Sequence, residues 1–356
     1  MYKLRFKYGP VLWLKLGSVN TMVIQSPKAA AELFKNHDST FCDRRVPHAV
    51  TSCDYHKGTM SLANYGPYWR TLRKLSAMEF LASKRLNDTA AVRQKCMYNM
   101  IRWIEEDSLA SRACGGSGEV ELSCFVFLMN FNVIGNLMLS RDLLEPHSEE
   151  MFFGGSETTT STIEWAMVEL LRNPDSMKKL KEEITSVIGL CEKVEEKNLD
   201  QLSYLQAIVK ETLRLHPSLP LLLPRNARHD SNYMGYHIPK NTQVLVNVWA
   251  IGRDPESWDD PMSFKPERFL GTNIDYKGQH FELIPFGSGR RMCPGFAFGH
   301  RVIQLALASL IHNFDWEVSS QAPEIMDMTE RMGMTLRKLV PLKVTPTKRN
   351  SIQVTI

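Results

Sequence analysis

The sequence predicts a mainly α-helical fold with small β-sheets. Three observations predict it. Apolar residues recur at helical spacing along most of the chain. Strand-like alternation is confined to the first residues and to the stretch from Tyr233 to Gly252. No Gly-, Pro- or Ser-rich run marks a linker, so residues 1–356 read as a single domain.

The elements follow in order. "VLWLKLG" and "NTMVIQS" alternate around a turn and predict a β-hairpin. Pro27 lies in the first turn of a short amphipathic helix, "PKAAAELFKNHD". A second helix runs from about Pro67 to Phe80, and a longer one covers "RLNDTAAVRQKCMYNMIRWIEE". Leu122 to Ser140 carries no charge, but three asparagines and a glycine interrupt it, which predicts a buried core helix rather than a membrane span. "ETTTSTIEWAMVELLRNP" stops near Pro174, and Asp175 is expected to cap the next helix, "SMKKLKEEITSVIG". "LSYLQAIVKETLRLHP" stops at Pro217. Strands with turn signals follow through "YMGYHIPKNTQVLVNVWAIG", and a strong helix runs from Phe296 to about His312.

Composition excludes several classes. The net charge of +4 is modest for 356 residues, and no Lys/Arg block forms a nucleic-acid stripe. The seven cysteines are odd in number and include no C-x-x-C. That argues against a disulfide framework or a zinc ribbon and for a reducing compartment. The first residues, "MYKLRFKYGPVLWLKLG", are neither a signal peptide nor a spanning helix.

The chemistry concentrates in "FGSGRRMCPG", Phe286 to Gly295. Cys293 stands between a Gly-rich loop and a helix start, where free N–H groups and the helix dipole favour a thiolate. Gly287, Gly289 and Gly295 let the backbone approach a flat group and turn N–H groups toward the sulfur. Arg290 and Arg291 supply charge for a carboxylate. A nucleophilic cysteine needs a histidine base nearby, and the loop has none. A haem-ligating thiolate needs loop amides, an arginine for a propionate, and apolar packing such as Phe286 against the ring. The loop holds that second set. The bland alternative is a Gly-rich turn with a buried cysteine.

The spacing Phe286-x-x-Gly289-x-Arg291-x-Cys293-x-Gly295 resembles the haem-binding signature of the cytochrome P450 superfamily. Other segments resemble it in the same order. Trp69-x-x-x-Arg73 shares a helix face and, by the resemblance, contacts a haem propionate. "LPLLLPRNA" ends in Arg225, which resembles another propionate partner, with Leu221 and Leu222 lining the distal pocket. Glu211-x-x-Arg214 lies three apart on a helix, and the resemblance adds Arg268 of "FKPERFL" to make a buried Glu–Arg–Arg network that steadies the haem-side loop. "GGSETT" matches the oxygen-activating motif at Gly155, Glu157 and Thr158, with Gly154 first. A threonine hydroxyl that bonds back to a helix carbonyl opens the ladder there, and the neighbouring carboxylate relays protons. Phe152, Phe153 and Met334 read as substrate-pocket walls.

The resemblance implies the cytochrome P450 fold, haem b with Cys293 as axial thiolate, dioxygen, a small lipophilic substrate and electrons from NADPH–cytochrome P450 reductase. No nucleotide-binding glycine motif occurs in this chain itself. It also implies the cytosolic face of the endoplasmic reticulum membrane. "YGPVLWLKLG", "RRVPHAV" and "FELIPFGSGRRMCPG" are most similar to plant microsomal enzymes, the group containing geraniol hydroxylase and iridoid oxidase, hence a terpenoid-like substrate. Two departures stand out. No N-terminal anchor is found, so the chain is expected to be soluble. "SRDLLEPHSEE" runs straight into "MFFGGSETT", where the family has several helices, so the fold is read as incomplete, with a deletion near residue 150. The competing expectations are a non-catalytic haem-binding remnant and an α-rich interaction protein with a merely buried cysteine.

Overall fold

Prolines and small polar residues set many of the element boundaries. The protein is described by a computed structural model, which covers residues 1–145, 157–318, 326–333 and 335–349, apart from the side chains of Ala49 and Cys53. Phe152, Phe153, Gly154, Gly155 and Met334 lie outside the described residues. The helices are α1 (Tyr2–Tyr8), α2 (Pro27–Asn36), α3 (Tyr55–Gly58), α4 (Pro67–Leu75), α5 (Ser83–Asp88), α6 (Ala90–Ala113), α7 (Leu122–Leu139), α8 (Glu157–Arg172), α9 (Pro174–Ile188), α10 (Ser203–Leu215), α11 (Val248–Ile251) and α12 (Phe296–Asn313). The strands are β1 (Val11–Leu16), β2 (Val19–Ile24), β3 (Asp43–Arg44), β4 (Val120–Glu121), β5 (Arg225–Asn226), β6 (Ser231–Tyr233), β7 (Tyr236–Ile238), β8 (Gln243–Val246), β9 (Phe314–Glu317), β10 (Glu330–Met332), β11 (Leu336–Lys338) and β12 (Lys343–Lys348).

Local chemistry explains several starts. The Ser26 hydroxyl accepts the Ala29 N–H at 3.2 Å and Pro27 opens α2, a capped start with proline where its missing N–H costs nothing. Pro67 opens α4, which widens into a π-helical turn at Ser76–Phe80. Two expectations are corrected. Asp175 does not cap α9: Pro174 takes the first helical position, Asn173 the cap, and Asp175 falls inside the first turn, where its charge faces the positive end of the helix dipole. Val248–Ile251 is a helical turn rather than strand, because Asn247 accepts the Ala250 N–H at 3.0 Å and caps it. The first residues form α1 ahead of the hairpin, with Arg5 paired to Asp254.

The described chain divides into two compact units, each built from separated stretches. The first holds residues 1–82, 219–263 and 273–296. Its five-stranded sheet has the order β1-β2-β8-β5-β3, with β1 and β2 antiparallel and β2 parallel to β8. The period of two is visible in its faces. Met22, Ile24, Val244 and Val246 pack with Ala29, Ala30, Leu33 and Phe34 of α2, while Leu12, Val23 and Leu245 make the other face.

The second unit holds residues 83–218, 264–272 and 297–356. Its helices surround α8, which buries Ile163, Trp165, Ala166, Met167, Val168 and Leu170. The uncharged helix α7 is long and apolar enough to cross a membrane, with 44% of its window buried. It packs on α6 and α8 and buries Phe125, Val126, Met129 and Val133, as a core helix does. Two small sheets, β4-β12-β9 and β10-β11, complete this unit.

Candidate active site

The cysteine loop lies in the first unit. Gly287 (φ 72°) and Gly289 (φ 67°) turn the chain through the left-handed region that side chains disfavour. Gly289 has a second reason to lack a side chain: a Cβ there would lie 2.7 Å from the Asp38 carboxylate. The Cys293 N–H donates to the Phe286 carbonyl at 2.9 Å and closes the loop. Phe286 is half-buried, edge-on to Tyr276 at 5.4 Å and tilted against Phe296 at 6.4 Å.

The Cys293 sulfur accepts a hydrogen bond from the Gly295 N–H and feels the charge of Arg73. Both favour the thiolate. Burial opposes them and wins, so the thiol is pushed above its ordinary range. This corrects the expectation of a lowered value from the helix start alone. Replacing Arg73 with leucine is expected to shift the pH-dependence of Cys293 alkylation in the haem-free protein further to the alkaline side. Only the thiolate reacts, so mass spectrometry of iodoacetamide labelling against pH reads this directly. An unchanged profile would show that Arg73 exerts no charge on the sulfur.

The four expected anion contacts differ in what occupies them. Arg73 is half-buried, its charge weakened by burial and supported by Cys293, and no carboxylate or carbonyl bonds it among the described residues. Trp69 is buried and donates its indole N–H to the Met60 carbonyl at 2.9 Å. Arg291, stacked on Trp69 at 4.4 Å, donates to the carbonyls of Cys42 (2.7 Å), Met60 (3.3 Å) and Ala63 (2.6 Å). Arg225 pairs with Asp38 at 2.9 Å and donates to the Ser288 carbonyl at 3.1 Å. Arg73 is thus the cation with donors to spare. Arg225 and Arg291 hold the loop to the segment 38–63.

Asp38 was not legible as a site residue. It is buried, and it accepts from Arg225, from the Arg290 side chain at 3.0 Å and from the Arg290 N–H at 2.8 Å. One carboxylate thereby fixes both sides of the glycine turn. Leu222 packs beside Gly287 with a left-handed backbone (φ 51°), and Leu221 packs against Leu12, Val23 and Leu245.

In the second unit, α8 begins its described length at Glu157. This carboxylate is buried and paired with Arg337 of β11 at 3.3 Å. The Thr158 carbonyl accepts hydroxyl bonds from Thr162 at 2.9 Å and Ser218 at 3.0 Å. Thr162 thus back-bonds onto Thr158, while the carbonyls one turn before Thr158 lie outside the described residues. From Glu157 to Arg172 the described helix is continuous.

Glu211, Arg214 and Arg268 come together as expected from their spacing and from the resemblance. Arg214 is bidentate on Glu211, at 2.7 and 2.8 Å, and Arg268 reaches the same carboxylate at 3.0 Å. The Lys265 N–H adds a bond at 2.7 Å. Glu211 and Arg214 are fully buried.

A half-buried thiol aimed at by a loop amide, with an arginine beside it that no described carboxylate binds and an aromatic face behind it, fits a flat, metal-centred dianion. Such a loop defines a haem-thiolate protein. The family model for cytochrome P450 matches residues 1–150 and 139–345, and the chain belongs to that family.

It is 46% identical to an iridoid oxidase of Catharanthus roseus, in an alignment of 451 positions covering 98% of this chain and 88% of that one. It is 32% identical to a geraniol 8-hydroxylase of the same plant, covering 97% and 88%. A zebrafish cytochrome P450 solved with abiraterone superposes with a TM-score of 0.82 at 22% identity over 98% of each chain, which shows the fold. The chain is thus an oxidoreductase of the monooxygenase class from the plant group that includes these relatives. Its cofactor is haem held by a cysteine thiolate, and its chemistry takes dioxygen, a lipophilic substrate and a redox partner.

Proposed function

We propose that the chain inserts one oxygen atom from dioxygen into a C–H bond of a small terpenoid, with Cys293 as the axial ligand of haem b and NADPH–cytochrome P450 reductase as electron source. The observation that carries this reading is the Cys293 loop: a sulfur bonded by the Gly295 N–H, beside the unpaired Arg73. The substrate class rests on the relatives, named for an iridoid and for geraniol, both small terpenoid skeletons. The cytosolic face of the endoplasmic reticulum membrane, which the family resemblance implies, is the place inferred for this chain.

When bound, the haem supplies the binding and activation of oxygen. The chain's own residues do the rest. Arg73 neutralises a propionate, with Trp69, Arg225 and Arg291 supporting the loops around it. Glu157, held by Arg337, is a carboxylate at the first described turn of α8, one residue from the Thr158 hydroxyl. Together they hold and pass protons to the reacting oxygen. Leu221 and Leu222 offer apolar surface to a substrate, as do Phe152, Phe153, Gly155 and Met334 by their place in the sequence.

A second reading has its own support. The family match comes in two stretches that meet at 139–150, and the alignments run over 451 positions for a chain of 356 residues. We infer that a segment forming the pocket roof is lacking near residue 150. A site without its roof admits water and loses reductant to peroxide. The test is a reconstituted assay with reductase, NADPH and geraniol, measuring oxidised product and peroxide per NADPH. The first reading expects product. Peroxide without product, alongside a thiolate-type spectrum, establishes the haem-binding remnant and overturns the first reading.

A further inference from the structure

The Cys293 loop needs an outside anchor. Gly287 and Gly289 allow its left-handed turn, and the same glycines leave it more backbone freedom than any other residue would. A working ligand has to be held to within about 0.5 Å of its productive place. Some group beyond the turn must remove the freedom that the glycines bring.

Bonds inside the loop do part of this. The Cys293 N–H reaches the Phe286 carbonyl, and the Met292 N–H donates to the Gly289 carbonyl at 3.1 Å. The Ser288 hydroxyl donates to the Gly278 carbonyl at 2.7 Å. These bonds close the turn on itself and on a neighbouring loop. They leave the place of Gly289 and Arg290 within the unit to another group.

That group is the carboxylate of Asp38, which is 4% exposed. It lies directly against Gly289, in space that any Cβ would take. Its Oδ2 accepts the Arg290 N–H at 2.8 Å and Arg290 Nη1 at 3.0 Å. Its Oδ1 accepts Arg225 Nη1 at 2.9 Å, and Arg225 Nη2 donates to the Ser288 carbonyl at 3.1 Å. Ser288, Gly289 and Arg290 are thus gripped in succession by one carboxylate and the arginine that it holds. Bonds to a buried charge are the strong ones.

Asp38 itself stands on fixed ground. It follows α2, whose Leu33 and Phe34 are buried in the core. The Thr40 and Phe41 N–H groups close its segment onto the His37 carbonyl, at 3.0 and 3.1 Å.

We propose that Asp38 is a positioning residue for the haem ligand: it pins the Gly289–Arg290 turn and, through the Gly289 carbonyl and the Met292 N–H, sets the place of the Cys293 sulfur. This rests on the reading of Cys293 as the axial ligand. Without the carboxylate the unit keeps its core and the loop keeps its internal bonds, but the sulfur is no longer held where a thiolate–iron bond forms.

Asp38→Asn is the sharpest change, because it keeps the shape and removes the chemistry. A carboxylate offers acceptors on both oxygens, whereas an amide offers one oxygen and turns a donor toward the other side. Either Arg225 or the Arg290 N–H then faces a donor. Arg225 still has the carbonyls of Phe41 at 3.4 Å and Ser288, and the face of Phe34 at 4.8 Å, so the fold is expected to tolerate the change.

The test compares the full haem-loaded chain, wild type and Asp38→Asn, reduced and exposed to carbon monoxide, with circular dichroism to confirm folding. Wild type should give the strongly red-shifted Soret band. The folded variant should take up haem and place most of its absorbance at the unshifted position of an iron without a thiolate. A merely structural role would lower the melting temperature and leave the band of the folded protein red-shifted. Hydrogen–deuterium exchange of the haem-free chain gives a second readout. The peptide 286–295 should exchange roughly tenfold faster in the variant, while the α2 peptide 27–36 keeps its rate. Should Asp38→Asn not fold, Arg225→Gln alone is compared with the pair Asp38→Asn, Arg225→Gln, which strands no buried charge. The pair should then show the greater loss of red-shifted band.

A folded Asp38→Asn protein with a fully red-shifted band overturns the proposal. So does loop exchange equal to that of wild type, or a pair indistinguishable from Arg225→Gln alone. A wild type that binds haem without the red-shifted band overturns the Cys293 reading, and the proposal falls with it. A red-shifted wild type beside an equally red-shifted variant overturns the proposal alone.

Discussion

Replacing Cys293 with alanine should abolish the strongly red-shifted Soret band that the reduced, haem-loaded protein gives with carbon monoxide. The effect is expected to be all or none. The structural cost of the change is small by comparison. The thiol is pushed toward its neutral form by burial, so alanine removes one small side chain and leaves one loop N–H, that of Gly295, to find another partner. That is worth about 1–3 kcal/mol, well inside the roughly 5–15 kcal/mol of a typical domain. Urea unfolding of the haem-free protein should thus change little while the spectrum is lost. A variant that keeps the red-shifted band would show that another sulfur ligates the iron. Loss of folding in the haem-free variant would make the cysteine structural. A wild-type chain that takes up haem but shows no red-shifted band would sink the thiolate assignment altogether.

That result would also separate what the residues alone could reveal from what they could not. Local rules reach as far as a helical turn or a fixed motif. The Glu211–Arg214 pair is three residues apart on α10 and was readable for that reason, and α2 announces its start through Pro27. Asp38 was invisible because nothing near it in "KNHDST" distinguishes it. Only the fold brings it within bonding distance of Arg225 and Arg290, two segments far away in sequence. The thiol of Cys293 was misjudged for a related reason. The helix start and the glycine amides can be read from the motif, but the burial that outweighs them is a property of the packed unit. The bond from the Ser218 hydroxyl to the Thr158 carbonyl has the same cause, since Ser218 arrives from another segment. The substrate walls expected at Phe152, Phe153 and Met334 depend on residues that the structure does not describe.

The second large effect is expected at Glu211. Glu211→Ala should destabilise the protein by about 3–5 kcal/mol, because it leaves charged groups buried without a counter-ion. Arg214 is fully buried and makes two charge-assisted bonds to this carboxylate. Arg268, 11% exposed, and the Lys265 N–H each lose a bond to Glu211 in the same step. Arg214→Ala should cost a similar amount, now with the carboxylate as the stranded charge. Arg268→Ala should cost clearly less. Its guanidinium reaches water, and Glu211 keeps the bidentate Arg214 and the Lys265 amide without it. The expected order of urea midpoints is therefore wild type, Arg268→Ala, then Arg214→Ala and Glu211→Ala together at the bottom. Added salt should leave that order in place, since buried pairs are screened far less than exposed ones. The contrast with the surface pair Lys178–Glu182, at 4.0 Å and largely exposed, gives an internal control: removing it should change stability by no more than about 1 kcal/mol. An Arg268→Ala loss as large as that of Glu211→Ala would mean that the third member, not the buried pair, carries the network. A Glu211→Ala loss no larger than the surface control would mean that the network contributes nothing to the stability of this unit.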